Sequence, residues 1–204
     1  MANVLVLFYT TYGHNYTMAK AAVEGVSQAG ANAVLKRIPE TLPDEVLVKM
    51  GALEAAKQWA DVPVAKPEEL KDYDAVIWAT PTRFGSIPAQ VKTFLDAMGG
   101  LWFTDALVGK VGSVMVSSNT QHGGQETTIH AMHTVLMHLG YVIVGLPYSF
   151  KGQSGVEEVK GCSPYGASTI AGNGGERQPS KDELDGARFQ GKHVATIATR
   201  LAAK

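Results

Sequence analysis

Apolar residues in this chain follow two rhythms. Short unbroken runs, VLVLFY (4–9), AVIWAT (75–80), VGSVMVSS (111–118) and YVIVG (141–145), are bounded by turn residues and predict strands buried on both faces. ANAVLKRI (31–38) alternates, which predicts a weaker strand nearer a sheet edge. Between these runs the period lengthens to that of a helix over 16–29, 87–98, 126–139 and 181–203, with Ala19, Val23 and Val26 forming one stripe. Strands alternating with helices over short connections predict a doubly wound α/β domain, a parallel sheet covered by helices on both faces. Five strands suit the length.

Two segments fall outside that minimal unit. Residues 40–66 hold room for a short helix between prolines, and residues 146–180 are rich in Gly, Ser, Pro and Tyr. A structureless stretch that long is uncommon in a compact domain, so covering a site or joining subunits is the expected use. A chain of 204 residues that is 45% hydrophobic supports one sizeable core, and the expectation is a single domain over 1–204. A net charge of -1 offers no basic field for nucleic acid. The lone Cys162 has no internal disulfide partner and no neighbour in GCSPYG that would activate its thiol, so it receives no role. With no secretory leader and no apolar run of membrane-spanning length, a cytoplasmic protein without membrane insertion is expected.

Ligands of open parallel sheets bind beyond the carboxyl ends of the strands, which singles out three loops. The first, Thr10 to Thr17, enters a helix N-terminus, where unpaired N–H groups and the macrodipole favour an anion. Thr10, Thr11, Tyr12, Asn15 and Thr17 add polar side chains and Gly13 allows a bend, although Asn15 or Thr17 could equally serve only as a helix cap. The loop lacks the glycines of a dinucleotide fingerprint and the Lys-Ser/Thr pair of a triphosphate site. A single terminal phosphate suits it better, as in a mononucleotide such as flavin mononucleotide (FMN).

The second loop brings Thr82, Arg83 and Phe84 to the same edge, ahead of a helix start at Ile87 and Pro88. Arg83 beside an exposed Phe84 could cover a flat ring and offset its charge; a surface arginine over a packed phenylalanine is the alternative. The third, SSNTQHGGQE, offers hydroxyls and amides, or an ordinary capped helix start at Thr127 or Thr128. Glu126, His130 and His133 share a helical face, but no second segment supplies matching ligands, so no metal is expected and these histidines read as exposed or hydrogen-bonded. His138, at its helix end, could reach a neighbouring site. GGLWFTD (99–105) puts Trp102 and Phe103 in what reads as a flexible loop, suited to core packing or to a binding surface.

Taken together, YTTYGHNYTMA, TPTRFG, SSNTQHGGQE, GGLW and SPYGASTIAGNGGERQPSKDEL resemble, nearly end to end, the WrbA-like family of flavodoxin-like NAD(P)H:quinone oxidoreductases. The resemblance implies strand order 2-1-3-4-5. It also implies FMN contacts from Thr10, Thr11, Tyr12, Gly13, His14 and Asn15, from Thr82, Arg83 and Phe84, and from Ser117, Ser118, Asn119, Thr120, Gln121, His122 and Gly123. NTQH, Asn119 to His122, is bulkier than the glycine-rich version of that loop. His138 is implied as a further flavin contact with a catalytic role, Tyr12 as a neighbour of the nicotinamide and Trp102 as a neighbour of the substrate. A homotetramer with sites between subunits is implied too, which would use both insertions as subunit contacts.

The activity implied is two-electron reduction of a quinone by NADH or NADPH, in two steps at one flavin face, protecting the cell from radical quinone products. The rival is a flavodoxin-type one-electron carrier; near-neutral charge argues against it, since carriers dock through a strongly charged face.

Overall fold

Strand β1 (Asn3–Phe8) lies inside the sheet because every residue after Asn3 is buried, the outcome expected of an apolar run without alternation. In this computed structural model, which describes residues 1–203, β1 is flanked in parallel by β2 (Asn32–Arg37) and β3 (Ala75–Pro81). Next to β3 come β4 (Val111–Ser118) and β5 (Val142–Ile143), giving the order β2-β1-β3-β4-β5. The alternating β2 is the edge strand, as its pattern predicts.

Each face of the sheet carries its own helices. Val4, Val6, Phe8, Ile77 and Met115 point to α1 (His14–Gln28) and α7 (Lys181–Ala202), against Met18, Ala22, Val26, Val194 and Ala198. Leu5, Leu7, Val76, Trp78 and Val114 point the other way, to α4 (Ala89–Asp96) and α6 (Gln125–His138), against Val91, Phe94, Ile129 and Met132. Helices α1 and α7 touch through glycine: a Cβ on Gly25 would stand 1.9 Å from the Arg188 carbonyl oxygen, and one on Gly191 2.2 Å from that of Ala22.

Three expectations need correction. The strand expected over 141–145 pairs only at Val142–Ile143, because at Gly145 the chain turns away against the Pro164 carbonyl, 2.3 Å from where a Cβ would sit. The same edge of β4 is then taken up by a sixth strand, β6 (Ser168–Ile170), out of the supposedly irregular 146–180 segment. Gln190 bridges the gap between them. Its amide donates to Ser113 Oγ (2.7 Å) and the Val114 carbonyl (2.9 Å) and accepts from Ala167 N–H (2.6 Å), in place of the missing backbone. Second, GGLWF is a short helix, α5 (Gly99–Phe103), rather than a loop; buried Leu101 anchors it while Trp102 and Phe103 face outward. Third, the 40–66 segment holds more than the one short helix expected there: α2 (Asp44–Lys49), α3 (Ala52–Ala56) and a 3-10 turn ending at Trp59, which packs on Phe8 and Tyr16.

Candidate active site

The carboxyl ends of β1, β3 and β4 open into a cavity of about 600 Å³. Helix α1 begins at His14, two residues earlier than its apolar pattern suggests, after Gly13 at φ +104°, a conformation that suits glycine. Gly13 N–H donates to Thr10 Oγ1 (3.0 Å), and the helix ladder starts with Thr17 N–H to the Gly13 carbonyl (2.9 Å). No side chain caps α1. Asn15 instead turns its amide NH₂ to the Tyr9 carbonyl (3.2 Å), leaving Oδ1 buried and unpartnered. Neither Asn15 nor Thr17 is the cap that the sequence allowed, so the first amides of α1 remain available to an anion. By contrast α7 is closed by Ser180 and Glu183, which cap each other's N–H groups.

The second loop is a two-residue hairpin turn: Arg83 and Ser86 exchange N–H to carbonyl bonds of 2.9 and 3.0 Å, with Phe84 at φ +52° and Gly85 at φ +74° between them. Phe84 is fully exposed, which rules out the packed phenylalanine. Arg83 reaches across to the first loop, its Nη2 donating to Thr11 Oγ1 at 2.8 Å while Nη1 donates to the Thr82 carbonyl at 3.0 Å. Thr82 in turn accepts from Thr128 Oγ1 (2.8 Å), so Thr128 ties the loops together and caps nothing. The helix after this loop begins at Ala89, with Pro88 just before it.

Behind the first loop, Tyr9 donates to Glu40 (2.8 Å), which also accepts from Gln90 and from the N–H groups of Thr41 and Leu42. Burial pushes the Glu40 carboxyl up, but the bonds from Leu42, Tyr9, Gln90 and Thr41 outweigh it and hold the group ionised. Burial, and then Glu40, push the Tyr9 phenol well up, so it stays neutral and gives Thr10 and Thr11 a fixed backing.

From the third loop Ser117, Ser118, Asn119, Thr120 and Gly123 line the cavity, whereas Gln121 and His122 do not. Gly124, at φ +94°, packs on loop two: its Cβ would sit 2.6 Å from Gly85 Cα. A further wall, absent from the sequence reading, comes from Ala171, Asn173, Gly174 and Gly175, with Met50 at the rim beside Tyr12. Ala171 and Gly172 donate to the Ser118 and Asn119 carbonyls (2.7 and 2.9 Å), extending the β4–β6 pairing into the cavity edge. The expectation that the 146–180 segment covers a site or joins subunits reached this far, without naming the residues of the wall.

Two expected contacts lie elsewhere in the single chain. His138 ends α6, whose first residue adjoins the cavity, so thirteen rises of ~1.5 Å put it about 20 Å away, exposed at the opposite edge of the sheet. Trp102, on α5 beyond the far end of α4, is likewise exposed and outside the lining. Tyr12 does line the cavity, half exposed, its hydroxyl donating to the Met50 carbonyl (3.1 Å).

His130 packs at a tilt against Tyr165, but His133 is buried with Nε2 unpartnered, against the expectation of an exposed or hydrogen-bonded ring. Burial, then the charge of His130, lower its pKa to about 4. Burial pushes the Cys162 thiol up to about 12, which leaves it unreactive. Among the described residues no three potential ligands converge on a metal position, and no helix is long and apolar enough to cross a membrane.

The donor set suits FMN. Free amides at the start of α1 and the hydroxyls of Thr10 and Thr11, with no carboxylate in the lining, match a phosphate monoester. The remaining volume, walled by Pro81, Phe84, Ser117 and Ala171, suits a flat ring system.

Comparison with known proteins agrees. The model of the family described as NADPH-dependent FMN reductase matches residues 4–154. The chain is 61% identical over 199 residues to the NAD(P)H dehydrogenase (quinone) of Syntrophobacter fumaroxidans, covering 97% of this chain and 98% of that one. It is 58% identical over 205 residues to the protein of that name from Paracoccus denitrificans, covering 100% and 97%. Among solved structures, the flavodoxin, WrbA-like protein from Agrobacterium tumefaciens superposes with a TM-score of 0.67 at 24% identity, over 98% of this chain and 99% of that one, a likeness of fold. With these relatives, the chain belongs to the NADPH-dependent FMN reductase family.

Proposed function

We infer that this protein is an FMN-dependent NAD(P)H:quinone oxidoreductase. The observation that carries the reading is the uncapped first turn of α1, open to a cavity whose lining has a cation and no carboxylate. FMN, when bound, would supply the redox chemistry for a two-electron transfer from NADH or NADPH to a quinone. The chain supplies placement. Thr10, Thr11 and the amides of Tyr12, His14 and Asn15 would hold the phosphate, the Gly13 N–H being taken by Thr10 Oγ1, and Thr82, Ser117, Ser118 and Asn119 would meet the polar edge of the ring. Arg83, fixed by Thr11 and Thr82, offsets negative charge that develops beside it. Phe84 and Tyr12 border the open side, where nicotinamide and quinone would take turns.

Trp102 and His138 can take part only if a second copy brings them, and we propose that the chain works as a homotetramer in which they do. Trp102, Phe103, Val108 and Met137 are exposed apolar residues on the sheet edge away from the cavity, as a buried subunit contact would require. His138 would then hydrogen-bond the quinone oxygen or assist its protonation. A cytoplasmic setting suits the unpaired Cys162, and the residues from 1 to 204 are read as one domain.

The test mixes FMN-loaded protein with NADH without oxygen and then with benzoquinone. One quinol formed per NADH consumed, with no radical signal in electron paramagnetic resonance, supports the enzyme. Failure to oxidise NADH directly would favour the one-electron carrier and overturn the reading.

A further inference from the structure

Glu183 is the one fully buried carboxylate among the described residues. Capping α7 needs only its bond from Ser180 N–H (2.7 Å), yet it also accepts from Gly161 N–H (2.8 Å), Thr169 Oγ1 (2.9 Å) and Arg177 Nη1 (3.1 and 2.9 Å). Arg177 donates further to the carbonyls of Ile170 (2.8 Å) and Val159 (2.9 Å). A neutral glutamine could cap the helix. What the charged pair adds is a grip on both ends of the cavity's late wall. Arg177 N–H donates to the Ala171 carbonyl (2.8 Å), closing the 171–177 loop, and the Arg177 carbonyl accepts from His14 Nε2 (3.0 Å). Gly175 lies beside the same ring, its Cβ position 3.7 Å from His14 Cε1. His14 is the first residue of α1, the turn whose amides face the cavity.

We propose that Arg177 and Glu183 are positioning residues for the phosphate end of the FMN site, clamping the 171–177 wall so that its Arg177 carbonyl holds His14 and aims the first turn of α1. The proposal rests on the FMN reading above. A wall of Asn173, Gly174 and Gly175 is costly to order when left free. The ion pair orders it in advance, so that binding does not have to. Ala171, the residue of this wall that borders the ring, is held separately by its N–H bond to the Ser118 carbonyl (2.7 Å), so through His14 the effect falls on the phosphate end.

The experiment compares FMN with riboflavin, which lacks the phosphate, by quenching of flavin fluorescence on the apoprotein, together with the melting temperature of the apoprotein. Arg177→Lys keeps the charge but not the forked contacts, and should weaken FMN binding about tenfold, the worth of roughly one misaligned charge-assisted hydrogen bond. Riboflavin should change by less than about twofold, the margin within which the phosphate-free ligand counts as unaffected. Glu183→Gln, which retains an acceptor for the cap, should lower the ratio of FMN to riboflavin affinity in the same way should Arg177→Lys not fold. With His14→Phe as background, Arg177→Lys should produce no further change in that ratio. Equal losses for both flavins that track the melting temperature, or an unchanged FMN affinity, would overturn the proposal. Wild-type protein that binds no FMN would instead strike down the functional reading on which it rests.

Discussion

Phe84 holds an unfavourable backbone conformation and buries nothing, so replacing it should move stability and binding in opposite directions. At φ +52° a non-glycine residue costs about 1–2 kcal/mol, and Asn is far better tolerated there, above all before a glycine in a two-residue hairpin turn. Because the ring is fully exposed, Phe84→Asn loses no packing in the free protein. The apoprotein should therefore gain about 1 kcal/mol, which raises the melting temperature by ~2–4 °C for a chain of this size. A bound ring system would cover roughly one face of the phenyl group, about 100 Å² of the ~200 Å² an aromatic side chain can bury. At ~25 cal/mol per Å² that is about 2.5 kcal/mol, or about 60-fold in affinity. Calorimetric melting of the apoprotein and fluorescence titration with FMN, followed by the KM for NADH, measure both halves. A lower melting temperature would mean that Phe84 packs after all. A higher one with FMN affinity and KM both unchanged would mean that the exposed ring serves neither ligand.

Arg83→Gln should weaken FMN about 10- to 100-fold in the same titration, the worth of a hydrogen bond to a charged group, and leave apoprotein melting unchanged because Arg83 is exposed. Gly191→Ala puts a methyl 2.2 Å from the Ala22 carbonyl oxygen, so α1 and α7 must part; a loss of at least ~1–3 kcal/mol is expected on urea denaturation, and an unchanged midpoint would contradict the close crossing. His133 makes the fold sensitive to acid. Its pKa falls from 6.5 to about 4 on folding, so below 6.5 the unfolded chain binds a proton that the folded chain refuses. Stability attributable to this ring is complete above that pH and is lost as pH falls towards 4, by about 2 kcal/mol between pH 7 and 5. His133→Phe should remove that part of the pH dependence, and equal slopes for variant and parent would refute it.

What was legible in the sequence follows from how local each cause is. VLVLFY, AVIWAT and VGSVMVSS announce buried strands because burial on both faces leaves no polar position, and no distant residue has to be known. YVIVG carries the same signature but leaves the sheet after Ile143, for a reason far off in sequence: the Pro164 carbonyl occupies the space beside Gly145. The choice between cap and anion site at Asn15 rested on the turn at Gly13 and on the Tyr9 carbonyl that engages the amide, neither of which is a matter of composition. His138 is the instructive case. A helix that starts at the carboxyl edge of a parallel sheet must end at the other edge, so strand and helix alternation alone already implies that a flavin contact from His138 has to come from a second copy of the chain.

The late segment shows why a chain of this fold spends so many residues after β5. Without β6, β4 would present unpaired backbone at Val116 to Ser118, an open sheet edge at the rim of the cavity. Closing that edge with a longer β5 would satisfy the backbone but bring no wall to the cavity. Bringing the chain back through Gly166 and β6 closes the edge and delivers Ala171 to Gly175 as a wall in the same stroke, since hydrogen bonds continue past the strand to Ser118 and Asn119. The cost is an interrupted ladder at Ser113 and Val114, and the Gln190 amide offsets it with three bonds in place of a peptide. Helix α7 thus supports the cavity at two points, Gln190 under the sheet edge and Glu183 under the wall. Changes on α7 that spare the sheet core should therefore be felt first at the cavity.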